Sequence, residues 1–155
     1  MLGSNLCRVM ALAAILSGCS STYHMRATVI QGSVVFVADS DFFGNPDCIG
    51  SIEVRTDDGP PATAIPGDDV GAVRVGVYWE ETFASPSCEN PFPVKYGAKL
   101  SGPPFVYSDG EAKSVAAKPL MKGVTYTVEA RSSGSAYGGG KFEITKDGKV
   151  INLSG

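Results

Sequence analysis

Alternation of apolar and polar residues predicts short β-strands along this chain. In the most regular segment, residues 73–80, three valines and Trp79 occupy every second position, so they would share one face of a strand. Residues 49–56 alternate in the same way, and residues 28–37 end in a run rich in β-branched residues. The first half of the chain is therefore predicted to form three strands, at residues 28–37, 49–56 and 73–80.

The second half predicts further strands and a closing hairpin. Asp147-Gly148 suits a two-residue type I′ turn and lies between two apolar runs, which indicates a hairpin. Gly138-Gly139-Gly140 falls inside a strand pattern and indicates a bulge or the close approach of another backbone. We expect strands or short edge pieces at residues 94–100, 105–107, 124–131, 136–145 and 150–153, and a helical turn within residues 112–117.

Composition supports a turn-rich chain of the all-β class. The sequence holds 19 Gly and 10 Pro, and only 19% of its residues are charged. We therefore predict a single antiparallel β-sandwich. The formal net charge of −3, without a basic cluster, argues against nucleic-acid binding, because phosphate contacts dominate that affinity.

The N-terminus has the pattern of a secretory signal. Arg8 precedes an unbroken apolar run at residues 9–16, which is far shorter than the roughly 20 residues of a membrane-spanning helix. The alternative is a cytosolic helix, which should continue past Leu16. The serines and glycine that follow disfavour such a helix, so we expect export.

Leu16-Ser17-Gly18-Cys19 resembles the lipobox of bacterial lipoproteins. The resemblance implies cleavage before Cys19, a diacylglyceryl thioether and an N-acyl chain on that cysteine, and thereby a durable membrane anchor. It also implies that Ser20, in place of an aspartate, favours export to the outer membrane in enterobacteria-like systems. The chain would then comprise a signal peptide (1–18), a lipidated tether (19–27) and one β-sandwich domain (28–155), with 137 of the 155 residues left after removal of the first 18.

Apart from the anchor, the mature chain has two cysteines, Cys48 and Cys88. The compartment beyond the inner membrane is oxidising, which favours a disulfide between them. A meander of the first three predicted strands would also bring both to one end of the sheet, as a Cα separation of about 7 Å or less requires. The alternative, a catalytic thiol, needs a histidine partner, and the sequence places none near either cysteine.

Two further resemblances bear on fold and function. Leu120, Gly123 and Tyr126 have the spacing L-x-x-G-x-x-Y, which resembles the tyrosine corner of immunoglobulin-like sandwiches and implies that the Tyr126 hydroxyl bonds to backbone just upstream; chance spacing is the alternative. Residues 132–137, together with Phe142, resemble the Ser-Gly-rich motif of small lipoprotein inhibitors of C-type lysozyme, which are also anchored, disulfide-bonded β proteins.

Few residues suggest catalysis or metal binding. His24, the single histidine, falls in the expected tether. Residues 39–50 match a calcium loop only in part, because Phe43 and Gly50 stand where oxygen ligands are required. Adjacent acids such as Glu80-Glu81 would point to opposite faces of a strand. We predict no catalytic residues, no metal site and no cofactor, and we expect Trp79 in the core.

The sequence thus predicts a lipoprotein of the bacterial envelope, held by its N-terminal lipid and facing the periplasm from the outer membrane. Its expected role is non-enzymatic binding or structural support, with an envelope protein as the candidate partner. An inhibitor of lysozyme or of a protease is the sharper alternative. An enzyme of unknown class is the third, disfavoured because no nucleophile and base pair is evident.

Overall fold

The computed structural model describes residues 21–39, 48–84, 89–132 and 136–154, and these residues form an all-β domain with one short helix. The predicted all-β class is confirmed. In chain order the elements are β1 Thr22–Ile30, β2 Ser33–Ala38, β3 Ile49–Thr56, α1 Val70–Arg74, β4 Val77–Thr82, β5 Val94–Lys95, β6 Val124–Ser132, β7 Tyr137–Ile144 and β8 Val150–Leu153.

The strands form one curled mixed sheet in the order β4-β3-β6-β7-β1-β2-β5, with β8 also paired to β7. Most neighbours are antiparallel, but β1 runs parallel to β7. The finer prediction of a single antiparallel sandwich is therefore not confirmed. Four of the predicted segments become β3, β6 and the two strands of the β7–β8 hairpin, which has Gly148 at a φ of 86° in its turn.

One edge of β7 is shared by two strands. Residues 137–139 pair with β1 and residues 141–144 pair with β8. Gly140 lies where β1 leaves this edge, and a Cβ there would stand 2.0 Å from the Met25 carbonyl oxygen. The Asn152 side chain then joins β8 to β1, because it accepts a hydrogen bond from the Ala27 amide (2.7 Å) and donates one to the Ala27 carbonyl (2.8 Å). The close backbone approach predicted within the run of three glycines is confirmed at Gly140.

The predicted tether at residues 19–27 is wrong from Thr22 onward, because β1 begins there. Tyr23, Met25 and Ala27 are all buried in the core, while the residues between them are exposed. The alternation is that of a half-buried strand. It follows that the domain begins at least six residues earlier than residue 28, the boundary predicted from sequence.

The first predicted strand, residues 28–37, is interrupted. Gln31 and Gly32 both have positive φ, 50° and 75°, and they turn β1 back into β2. Turns with positive φ at both central residues match the right-handed twist of antiparallel strands. The β-branched composition on both sides of the turn concealed it in the sequence pattern.

The third predicted strand, residues 73–80, is also wrong in its first half. Asp69 accepts a hydrogen bond from the Ala72 amide and thereby caps the N-terminus of α1. Gly76, at a φ of 97°, follows the end of α1, and strand β4 starts only at Val77. As a result Val75 is 75% exposed, whereas the alternation predicted it in the core.

Residues 94–123 contain less regular structure than predicted. Strand β5 covers only two residues, and the pieces near residues 105 and 112 are single bridges, Phe83 to Pro104 and Val106 to Ala112. The helical turn expected within residues 112–117 is not formed, since Val115 instead bridges to Glu80.

The core lies inside the curl of the sheet and is rich in aromatic rings. Trp79 is 1% exposed, as predicted, and packs edge-on against Tyr96 with ring centroids 5.4 Å apart. The Tyr126 hydroxyl accepts a hydrogen bond of 2.8 Å from the Met121 amide, five residues upstream. Burial raises the pKa of Tyr126 to about 12. The local contact implied by the L-x-x-G-x-x-Y spacing is thus present, within a sheet of mixed topology.

Candidate functional site on the outer face of the sheet

A groove of about 970 Å³ crosses the outer face of the sheet. Its floor is made by β4, β3, β6, β7 and β1, near the end of the sheet at which β1 begins. The side chains that face it alternate along each strand with those that fill the core, because successive strand residues point to opposite faces. The groove is therefore built on regular strands that the core holds in place.

Strand register arranges these side chains in two rows that run across the sheet. Each member is the direct register partner of the next. The row nearer the start of β1, here called the entry row, is Thr82, Ser51, Arg131, Tyr137 and Thr22. The row two residues farther along the strands, here called the acidic row, is Glu80, Glu53, Glu129, Gly139 and His24.

The acidic row places three carboxylates side by side. Glu53 lies directly opposite Glu80 on one side and Glu129 on the other. Like charges in this position destabilise a sheet. Arg55 offsets part of the repulsion, with Nε 2.8 Å from Glu53 and Nη2 4.0 Å from Glu129. Partial burial, together with the carboxylates of Glu53 and Asp69, raises the pKa of Glu80.

Aromatic side chains lie within the entry row and beside it. Tyr137 is 44% exposed, and the Arg131 guanidinium lies 5.2 Å from the centre of its ring. On the β4 side, the Phe105 amide donates to the Thr82 carbonyl, and the Phe105 ring is 41% exposed. It meets Tyr107 edge-on at 5.0 Å. Apolar and cationic surface is therefore presented here, next to the carboxylates.

Several residues predicted from sequence lie outside the described residues: Leu16, Ser17, Gly18, Cys19 and Cys88, together with most of the partial calcium loop and residues 133–135 of the Ser-Gly-rich motif. Cys48 is described and is 1% exposed, just before β3. Its pairing with Cys88 stays a prediction. Ser51 and Thr82 are register partners, so the segments that lead to the two cysteines start side by side.

His24 lies at the end of the acidic row and is exposed. The sequence pattern predicts a tether at His24, and it gives no reason to single out Glu53, Glu129 or Arg131. The sequence shows that these residues alternate with apolar neighbours, but it does not show which strands are adjacent. The two rows could therefore not be predicted.

The described residues hold neither a grouped set of metal ligands nor a helix of membrane-spanning length. No three His, Cys, Asp or Glu side chains among residues 21–39, 48–84, 89–132 and 136–154 are grouped closely enough to hold a metal ion. Over the same ranges, no helix has the length and apolar character needed to cross a bilayer. Comparison of the chain with protein-family models, curated proteins and solved structures finds no match.

Proposed function

We propose that this chain is a lipid-anchored lipoprotein of the bacterial envelope with a non-enzymatic binding role. The anchor rests on the Leu16–Cys19 motif behind Arg8 and a short apolar run. The binding role rests on the groove, and above all on the acidic row. Three adjacent glutamates cost the sheet stability and fill no core position, so their presence favours a role in recognition.

The chemistry of the groove favours a protein partner with a basic surface. Carboxylates in the acidic row would complement lysine or arginine on the surface of the partner. The same carboxylates repel nucleic acid. We therefore expect the partner to be an envelope protein with a basic surface.

A pair of photo-crosslinking variants in the native host tests the binding role. A crosslinking residue in place of Glu129 reports on the groove, and one in place of Lys149, whose side chain is 78% exposed beyond the far end of β7, is the matched control. We expect a defined adduct from position 129 and none from position 149. Adducts of equal yield at both positions, or none at 129, would contradict a binding role for the groove.

An inhibitor of lysozyme is the second candidate. Ser132 and Tyr137, the described ends of the Ser-Gly-rich motif, both lie at the groove, and Tyr137 is exposed. The test is the lytic rate of a C-type lysozyme with added protein carrying Cys19→Ser. Inhibition that weakens when Glu53 and Glu129 are both changed to Gln would favour this candidate, and an unchanged lytic rate would exclude it.

A further inference from the structure

The described part of the chain is fixed to the sheet from its first residue. The Ser21 carbonyl accepts a hydrogen bond of 2.9 Å from the Tyr137 amide. Tyr23, two residues on, is 5% exposed, and its hydroxyl lies 2.9 Å from Ser132 Oγ. The sheet therefore holds the backbone in place from Ser21 onward.

This position leaves almost no tether. If Cys19 carries the lipid, two residue steps separate it from Ser21, and a chain spans at most about 3.6 Å per step, so the two Cα atoms lie within roughly 7 Å of each other. An acylated cysteine lies at the membrane surface. Ser21, and with it the start of β1, is then confined to the same surface.

Because β1 pairs in parallel with β7, the start of β7 is confined to the membrane surface together with the start of β1. Strands β1 and β7 run in the same direction, so both start at this end, and Tyr137 starts β7 directly beside Thr22. Seven residue steps along β7 lead to Ile144, roughly 23 Å away at about 3.3 Å per step. The turn at Gly148 therefore lies at the far end of the sheet.

We infer that, in the anchored protein, the entry row faces the lipid headgroups, while the turns at Gly32 and Gly148 point away from the membrane. This inference rests on the proposed lipid anchor and assigns the membrane surface as the partner of this end of the domain. The acidic row then stands about 7 Å farther out, two strand residues from the entry row.

The chemistry of the entry row suits that surface. Within the row, Tyr137 is exposed and Arg131 lies against its ring; the exposed Phe105 lies beside the row at Thr82. Tyrosine and arginine are characteristic of the headgroup region, because each side chain has an apolar part and a polar tip that stays hydrated. At the opposite end, the exposed turn carries Asp147 and Lys149, which pair with each other at 3.0 Å.

Paramagnetic relaxation in nanodiscs tests the orientation. The isotopically labelled, lipidated mature protein is placed in phospholipid nanodiscs that contain a gadolinium-chelating lipid. We expect relaxation of the Thr22, Arg131 and Tyr137 amides to be enhanced at least about tenfold more than that of the Gly32 and Gly148 amides, given their separation along the strands. The matched control carries about 12 inserted Gly and Ser residues before Ser21, a flexible spacer of roughly 20 Å, and should lose most of this gradient.

The outcomes separate the orientation from the anchor. Protein that carries the acyl chains and stays on the nanodiscs, but shows equal enhancement at both ends of the sheet or the same pattern with and without the insertion, would overturn the orientation alone. Protein that carries no acyl chain and does not stay on the nanodiscs would overturn the proposed anchor, and the orientation with it.

Discussion

Glycines in β7 show how a single missing side chain decides where a strand can go. A Cβ at Gly138 would stand 2.0 Å from the Tyr23 ring, and one at Gly140 would stand 2.0 Å from the Met25 carbonyl oxygen. Gly139 differs, because its nearest neighbour would be 3.9 Å away, an ordinary contact. The Gly-Gly-Gly run predicted close approach from sequence, but which of the three glycines are required depends on the partner strand.

Gly140→Ala should therefore destabilise the domain strongly. Its Cβ meets backbone atoms of β1, which cannot move without breaking the sheet, so we expect a loss of about 3 kcal/mol or more, or failure to fold. Gly139→Ala is the matched control and should change stability by less than about 1 kcal/mol. Urea unfolding of both variants gives the comparison, and equal midpoints would show that β1 does not approach β7 at residue 140.

A buried ion pair offers a second test at this scale. Lys118 Nζ contacts Asp68, and their side chains are 6% and 1% exposed. Burial by itself would raise the pKa of Asp68, but hydrogen bonds from the Ile65 and Ala116 amides and the contact with Lys118 hold it below the ordinary value of 3.8.

Asp68→Asn should leave Lys118 buried without its counter-charge and cost about 3–5 kcal/mol near neutral pH. Because the pKa of Asp68 is lower in the folded than in the unfolded state, its contribution is present above the unfolded value and is lost as pH falls through the folded one. The gap between wild type and variant should therefore narrow as pH falls below the ordinary pKa of an aspartate. Asp109→Asn, at the exposed pair with Lys113, is the control and should show a much smaller gap. A gap at Asp68 that does not depend on pH would contradict the ion-pair account.

At the scale of elements, prediction from sequence was accurate where a strand had regular alternation and clear turn residues. Strand β3 and the β7–β8 hairpin meet both conditions. Strand β1 alternates as well, but its buried positions are Tyr23, Met25 and a small alanine, directly after an export signal, so it was assigned to a tether. The error at α1 has another cause, since alternating valines concealed the capping residue Asp69.

Tyr126→Phe tests how the loop before β6 is held. The hydroxyl that it removes accepts from the Met121 amide at 2.8 Å, and Tyr126 is 0% exposed, so the amide would lose its partner inside the protein. We expect a loss of about 1–3 kcal/mol in the free energy of unfolding. Tyr137→Phe, on the exposed surface, should lose little. A Tyr126→Phe variant as stable as wild type would show that this hydrogen bond does not hold the loop.

The predicted Cys48–Cys88 disulfide would join the segments that flank β3 and β4 at one end of the sheet. Cys88→Ser should lower stability by up to about 4 kcal/mol on the chain-entropy model. Alkylation of the unfolded protein without reductant, followed by mass spectrometry, is the direct measurement. We expect both cysteines to be modified only after reduction, and modification of both beforehand would disprove the bond.

At the scale of the whole molecule, the sequence predicted an all-β domain but not the order of its strands. Strand order depends on which edges meet, and the parallel contact of β1 with β7 joins segments more than a hundred residues apart. Asn152 and Gly140 set this contact through particular atoms and not through periodicity. The same strand order brings the residues of the groove together, so the sequence pattern could not predict its two rows.

The proposed lipid at Cys19 underlies the anchor, the compartment and the orientation of the entry row. Intact-mass spectrometry of the protein extracted from membranes of its native host measures this directly. We expect a chain that starts at Cys19 and carries a diacylglyceryl group and an N-acyl chain. A chain that retains residues 1–18, or one that starts at Cys19 without any acyl adduct, would contradict it.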